Sequence, residues 1–148
     1  MVYTIGEMAA KLGISASALR YYDKEGLLPF VERSSGGIRM FKETDFEWLR
    51  VIGCMKKAGM PLKQIRRYIE MALEGDDTIE LRYKMFREQK SELGKQMAEL
   101  RHTMDMVDYK CWYYETALAA GTTDVPQNMA DADVPERFQN IRRELRQS

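Results

Sequence analysis

The stretch "TIGEMAAKLGISASALRYYDKEGLLP", residues 4–29, predicts two short helices joined by a tight turn. Thr4 and Glu7 have the spacing of a capping box, in which each side chain accepts a hydrogen bond from the other residue's backbone amide. Gly13 is placed to end the first helix, and Ser15 to cap a second one that closes before the glycine and proline of the stretch. Two short helices at this separation form a helix-turn-helix pattern.

The next segment, "LLPFVERSSGGIRMF", predicts a strand, a turn and a second strand, with the turn at residues 34–37. A hairpin directly after the second helix is typical of a wing. Two further helices are expected beyond it. One begins at Glu43 or its neighbour and ends near Gly59, and the other has Pro61 as its first residue.

Residues 78–118 contain no proline and a single glycine, which predicts one long helix. Two series of mainly apolar side chains recur at every seventh residue and are offset by four, like the d and a positions of a coiled coil. A helix of about 40 residues is ~60 Å long, too long for a small domain to cover, so homodimerisation explains the pattern better. The residues predicted for the dimer interface are Ile79, Phe86, Leu93, Met97, Leu100, Met104, Val107, Cys111 and Tyr114.

The chain is therefore expected to have three segments: a DNA-binding head at 1–75, a dimerisation helix at 76–120 and a polar tail at 121–148. The tail is interrupted by two prolines and is expected to end in a short frayed helix at about 136–146. It is too small to hold a ligand-binding domain.

Charge is unevenly distributed, although the 148 residues carry no net formal charge. The first 75 residues have 12 Lys and Arg against 9 Asp and Glu, a net of +3, and the remainder has 11 against 14, a net of −3. The basic excess suits a polyanionic partner of the first half. Two cysteines make no disulfide framework, and no apolar run approaches the ~20 residues of a membrane span. We therefore expect a cytoplasmic protein without a membrane partner.

With these motifs, "AGMPLKQIRRYI" and the long helix after "EGDD", the sequence resembles regulators of the MerR family over about its first 118 residues. The resemblance implies a mainly α fold, with a winged helix-turn-helix head and a long helix that forms an antiparallel coiled-coil homodimer. It also implies binding to double-stranded promoter DNA with an overlong spacer. Family members distort that spacer so that RNA polymerase, an indirect partner, can engage both promoter elements.

The candidate DNA-binding residues are Ser17, Arg20, Tyr21, Arg33, Arg39, Lys63 and Arg66. Arg20 would project from the second helix into the major groove, where a guanidinium can bind guanine with two hydrogen bonds. By resemblance Tyr21 faces a phosphate while Tyr22 packs under the wing. Arg39 lies at the family's wing-arginine position, next to Ile38, where tyrosine is commoner.

The basic residues after Pro61 mark a helix start at which the phosphate backbone can also sit. Arg66 and its neighbour Arg67 could equally be solvated helix charges.

The segments "WLRVIGCMKKAGMPLKQIRRYIE", "EGDDTIELR" and "DYKCWYYE" are most similar to the subgroup that responds to reactive aldehydes and nitrosative stress. By that resemblance Cys54 is the sensor, and Lys56 and Lys57 could lower the pKa of its thiol. Alternatively Cys54 is a buried small hydrophobe. A metal or cofactor is not expected, because acidic residues stand at the start of the long helix, where soft-metal sensors have cysteine, and no cysteine follows Cys111.

Two other functions are compatible with the sequence. The protein could sense an organic inducer in a pocket near Trp112, Tyr113 and Tyr114, or it could be a coiled-coil module that binds other proteins. Catalysis is not expected. The single histidine, His102, lies at a non-core, solvated position of the long helix, and no Cys/His arrangement for nucleophilic chemistry is evident.

Overall fold

The computed structural model describes residues 1–147, which form two compact units, Met1–Ser91 and a second unit that begins at Glu92. The three segments expected from the sequence remain predictions. The elements in chain order are β1 (Val2–Tyr3), α1 (Ile5–Leu12), α2 (Ala16–Lys24), β2 (Glu32–Arg33), β3 (Arg39–Lys42), α3 (Glu43–Lys57), α4 (Leu62–Glu74), α5 (Ile79–Ala120), α6 (Asp124–Asn128) and α7 (Glu136–Arg146), with 3-10 turns at Asp76–Thr78 and Asp131–Asp133.

The helix-turn-helix begins with the expected caps. The Thr4 amide donates to Glu7 Oε2 at 2.8 Å, and the Glu7 amide donates to Thr4 Oγ1 at 3.3 Å. Gly13 ends α1 with a φ of 69°, in the left-handed region that favours glycine. The Ala18 amide donates to Ser15 Oγ at 3.1 Å, which fixes the start of α2. The helix-turn-helix prediction is confirmed.

The hairpin lies one or two residues further along the chain than expected. β2 and β3 pair antiparallel, with Arg33 opposite Arg39, and the turn is closed by a 2.8 Å hydrogen bond from the Ser34 amide to the Ile38 carbonyl. We call residues 32–42 the wing. β1 was not predicted. It pairs with the other side of β3 to give a three-stranded sheet, and two residues are too few for an alternating pattern to indicate a strand.

The core of the first unit gathers apolar side chains from α1 to α4, from the α2–β2 loop and from β3. Leu19 and Tyr22 point into it from α2, so the helical spacing leaves the positions between them on the outer surface. The fully buried members are Met8, Leu19, Leu27, Phe41, Ile52, Ile65 and Ile69. This packing fixes which face of α2 is presented to solvent.

α5 is one uninterrupted helix of 42 residues, as predicted. Its large apolar side chains are exposed along much of its length, including Phe86, Leu93, Leu100 and Val107. Although α5 is long, no helix within residues 1–147 combines enough length and apolarity to cross a membrane.

The tail was predicted to be frayed, and this was wrong. α7 has the expected bounds, but Phe138 and Ile141 are buried against Tyr109 and Tyr113 of α5. His102 is exposed at a non-core position of α5, as predicted, and its Nε2 lies 3.0 Å from a Glu144 carboxylate oxygen. The polar composition of the tail hid this packing, which depends on a few apolar side chains at helical spacing.

A buried arginine organises the chain around α6. The Arg142 side chain is 1% exposed, and its guanidinium donates to the carbonyls of Pro126 at 3.0 Å and Gln127 at 3.3 Å. It also donates to the Met129 carbonyl and pairs with Asp131 at 3.2 Å. These bonds satisfy carbonyls that the irregular backbone would otherwise leave without partners. Together with the buried cluster around Phe138, these bonds give the second unit a core of its own.

Candidate nucleic-acid interface

The outer face of α2 carries Ser17, Arg20 and Tyr21. Ser17 and Arg20 are exposed, and neither side chain makes a hydrogen bond or ion pair within residues 1–147. Tyr21 is 43% exposed, whereas Tyr22 is buried in the core, and burial raises the pKa of the Tyr22 phenol. Arg20 therefore presents an unneutralised guanidinium with all five donors available, the geometry that bidentate recognition of guanine requires.

The wing is joined to α2 through Asp23. The Arg39 guanidinium pairs with the Asp23 carboxylate, and Arg33 Nη2 lies 3.1 Å from the same oxygen. These guanidinium groups, Arg39 first, hold the pKa of Asp23 below its usual value. Asp23 was not predicted from the sequence, since no local spacing rule connects a helix residue with partners 10 and 16 positions further along. Both wing arginines lie beside α2, and their contact with phosphate remains a prediction.

The start of α4 lies near the end of α2. Arg66 Nη1 donates to the Glu25 carbonyl at 3.2 Å, so this half-buried side chain satisfies a carbonyl just beyond the end of α2. Arg67 is paired with acidic residues of its own helix, at 3.7 Å and 3.3 Å. Lys63 is exposed and has no hydrogen-bond or ion-pair partner in the described part of the chain. Lys63 is therefore the cation of this helix start with the most freedom to meet a phosphate.

Cys54 is exposed on α3, so the alternative of a buried small hydrophobe was wrong. The Lys56 ammonium lies 5.1 Å and 5.0 Å from the ring centroids of Tyr21 and Tyr22. Such a cation–π contact ties the end of α3 to α2. Support for a Cys54 thiolate from Lys56 and Lys57 remains a prediction.

The aromatic cluster of α5 lies in the second unit, and side chains of the tail pack against it. Tyr113 is buried, Trp112 is half-buried with its ring centroid 5.8 Å from that of Phe138, and Tyr114 is exposed. A cavity of about 210 Å³ remains beside Tyr113, lined by Tyr109, Lys110, Gln127, Arg142, Leu145 and Arg146. Across residues 1–147, no group of three His, Cys, Asp or Glu side chains is placed to hold a metal ion.

Comparison with known proteins identifies the family. Residues 3–72 match a family model described as MerR HTH family regulatory protein, and residues 46–108 match one described as MerR, DNA binding. An uncharacterised HTH-type transcriptional regulator of Haemophilus influenzae is 46% identical over 82% of this chain and 90% of its own length. The transcriptional regulator AdhR of Bacillus subtilis is 36% identical over 60% of this chain and 64% of its own length.

A solved structure supports the same assignment. HiNmlR, described as a MerR family regulator lacking the sensor domain and bound to promoter DNA, superimposes with a TM-score of 0.75 at 45% identity. The match covers 84% of this chain and 98% of HiNmlR. The two family models are of a family of regulators, and these relatives are regulators and not enzymes. This chain therefore belongs to the MerR family of DNA-binding transcriptional regulators.

Proposed function

We propose that the protein binds an overlong-spacer promoter as a homodimer and remodels it for RNA polymerase in response to a reactive electrophile. In this proposal α2 contacts base edges through Ser17 and Arg20, Tyr21 contacts a phosphate, and the wing and the start of α4 hold further phosphates. The observation that carries the DNA contact is Arg20, an exposed guanidinium on the outer face of α2 without a partner in residues 1–147. HiNmlR, which is bound to promoter DNA in its structure, supports it.

Dimerisation is supported by the middle of α5. Residues 91–105 are exposed throughout, so this stretch buries no side chain in the single chain, although His102 contacts Glu144. A helix without packing is marginal in water, and most helical stability in proteins comes from burying an apolar face. The exposed side chains include Leu93, Met97, Leu100 and Met104 at heptad spacing. A second copy of α5 would bury them.

Signal detection by Cys54 is supported by its exposure and by its neighbours. An aldehyde can reach the Cys54 thiol from solvent. The thiolate would add to the carbonyl carbon, and the resulting oxygen would take up a proton to give a hemithioacetal. Lys56, two residues further along α3, contacts both tyrosine rings of α2. In this proposal α3 is the element that connects an adduct at Cys54 with the DNA-reading helix.

The cavity beside Tyr109 and Tyr113 favours a second candidate signal, a small organic inducer; of the aromatic residues expected at such a pocket, Tyr113 lines this cavity and Trp112 and Tyr114 do not. Its volume of about 210 Å³ is below the usual range for drug-sized ligands. Only a small molecule would fit without displacing the tail. The response of a Cys54 variant distinguishes the two signals.

The DNA-binding proposal is tested by comparing a duplex from upstream of the protein's own gene with a random duplex of equal length. We expect tighter binding to the upstream duplex and a linear fall of log affinity with log salt concentration on both. Equal affinity for the two duplexes at every salt concentration would contradict sequence-specific recognition.

A further inference from the structure

All three cations of the wing are engaged by carboxylates of the first unit. Arg33 and Arg39 share Asp23, and Lys42 pairs with Glu32. Arg20 and Lys63, in contrast, have no such partner within residues 1–147. The wing is expected to lie against phosphates, so these ion pairs affect how much positive charge it offers to DNA.

Asp23 is the point at which the wing and α2 are joined. Its side chain is 18% exposed, and that of Arg39 is 26% exposed, so the pair is partly shielded from water. Arg33 also donates from Nη1 to the Gly37 carbonyl at 3.3 Å, which links the carboxylate to the turn of the wing. The pKa of Asp23 lies below its usual value because the guanidinium groups stabilise the carboxylate. Asp23 is therefore ionised at neutral pH.

We propose that Asp23 is a positioning residue that holds the wing against α2 and sets the protein's discrimination between promoter and random DNA. The inference rests on the proposed contact of Arg33 and Arg39 with phosphates. Asp23 itself touches no base in this proposal. It acts through the two arginines, by fixing where they lie and by offsetting part of their charge.

Asp23 offsets part of the positive charge that strengthens binding to DNA of any sequence. Two guanidinium groups and one carboxylate offer the phosphate backbone a net charge of one rather than two. Each phosphate neutralised by a cation strengthens binding to any sequence, whereas base contacts strengthen binding only to the correct one. The charge offset alone lowers both affinities alike, so in this proposal the ratio of promoter to random affinity rises through the fixed position of Arg39 in the promoter complex.

Asp23 also fixes the position of the Arg39 guanidinium. A guanidinium has five donors in a fixed planar fork, so Arg39 can keep its bond to Asp23 and still offer other N–H groups to a phosphate. Bound in this way, its plane is fixed before DNA arrives, and the wing does not have to be ordered on binding. Without Asp23, Arg33 and Arg39 would offer their full positive charge to DNA, but the wing would no longer be held against α2.

The test compares Asp23→Asn with Glu25→Gln as a matched control. Both changes remove one negative charge at the same end of α2, but the Glu25 side chain has no hydrogen bond or ion pair in residues 1–147. Affinity is measured on the upstream duplex and the random duplex over a range of salt concentrations. We expect Asp23→Asn to tighten random binding several-fold and to steepen its salt slope by about one. The promoter-to-random ratio should fall, whereas Glu25→Gln should leave it within about twofold. Asp23→Glu should restore the ratio.

A second measurement follows the wing without DNA. Hydrogen exchange of the Ser34 and Gly37 amides, which close the turn, should be faster in Asp23→Asn than in wild-type protein and unchanged in Glu25→Gln. Equal exchange in the two variants, or equal promoter-to-random ratios, would overturn the inference.

The double variant Arg33→Gln, Arg39→Gln separates this inference from the proposed wing contact. If the double variant binds both duplexes as wild-type protein does, the phosphate contact of the wing is wrong, and the role of Asp23 in DNA discrimination is wrong with it. The exchange experiment then still shows whether Asp23 holds the wing. If instead Asp23→Asn tightens random binding equally in the double variant, Asp23 acts only through bulk charge, and the inference is wrong while the wing contact stands.

Discussion

At the scale of single residues, Cys54 is the site at which the proposed signal can be tested with little disturbance of the fold. Its side chain is exposed, so Cys54→Ser should change the free energy of unfolding by no more than about 0.5 kcal/mol. The variant should bind promoter DNA as wild-type protein does but lose the transcriptional response to aldehyde in a reporter assay, since a hydroxyl is a far weaker nucleophile than a thiolate. Cys111→Ser, at the other exposed cysteine, is the control and should retain the response. A full response in the Cys54 variant would instead favour the cavity beside Tyr113.

Asp23 gives a second prediction, for stability as a function of pH. Its pKa is lower in the folded state than in the unfolded chain, so the pairing contributes stability above the unfolded value of about 3.9 and loses it as pH falls through the folded value. Asp23→Asn should lower the free energy of unfolding by about 1 kcal/mol at pH 7. The difference from wild type should shrink below about pH 4. Urea denaturation at pH 7 and pH 3 measures it, and a difference as large at pH 3 as at pH 7 would show that the carboxylate charge is not the cause.

At the scale of secondary structure, the exposed face of α5 predicts the effect of charge in the proposed dimer interface. Leu100→Asp combined with Val107→Asp would bury unpaired carboxylates between two helices, so the variant should be a monomer by sedimentation. Its helix content should also fall, because α5 would lack a partner over residues 91–105.

The matched control for this variant is Ser91→Asp combined with Ala98→Asp. These residues are exposed on the same helix but belong to neither heptad series, so the control should remain dimeric. Dimers in both variants would rule out the assigned interface, and monomers in both would point to a general effect of added charge.

The tail gives a prediction for α7. Phe138 is 6% exposed and packs on Tyr109 and Trp112, so Phe138→Ala should remove about 3 kcal/mol of stability from the second unit. Hydrogen exchange of α7 amides should accelerate. Asn140→Ala, at an exposed position of the same helix, should have little effect. Unchanged exchange in the Phe138 variant would mean that the tail does not depend on this contact.

These elements show what the sequence could predict. α1, α2 and α5 follow from caps and spacing within one segment, and Arg20 follows from its place on α2. Asp23 could not be predicted, since its partners lie on strands whose register is a property of the folded sheet. The burial of Arg142 was missed for a similar reason. Arginine is almost never fully buried unless its donors find acceptors. Here the acceptors are backbone carbonyls that lie 15 and 16 residues away along the chain.

At the scale of the whole molecule, the central claim is that two copies of α2 read a promoter together. The two heads of a symmetric dimer should protect two half-sites related by a two-fold axis. This arrangement depends on dimerisation as well as on base contacts, so the monomeric α5 variant should lose operator binding too.

The most direct measurement is footprinting on DNA upstream of the protein's own gene, with chemical probing of guanine N7 in the major groove. We predict two symmetric protected segments, with one guanine in each shielded by wild-type protein and reactive when Arg20→Ala is bound. The Arg20→Ala variant should lose about 1–3 kcal/mol of operator affinity. A single protected segment, or guanines that remain shielded in the Arg20→Ala complex, would contradict the account.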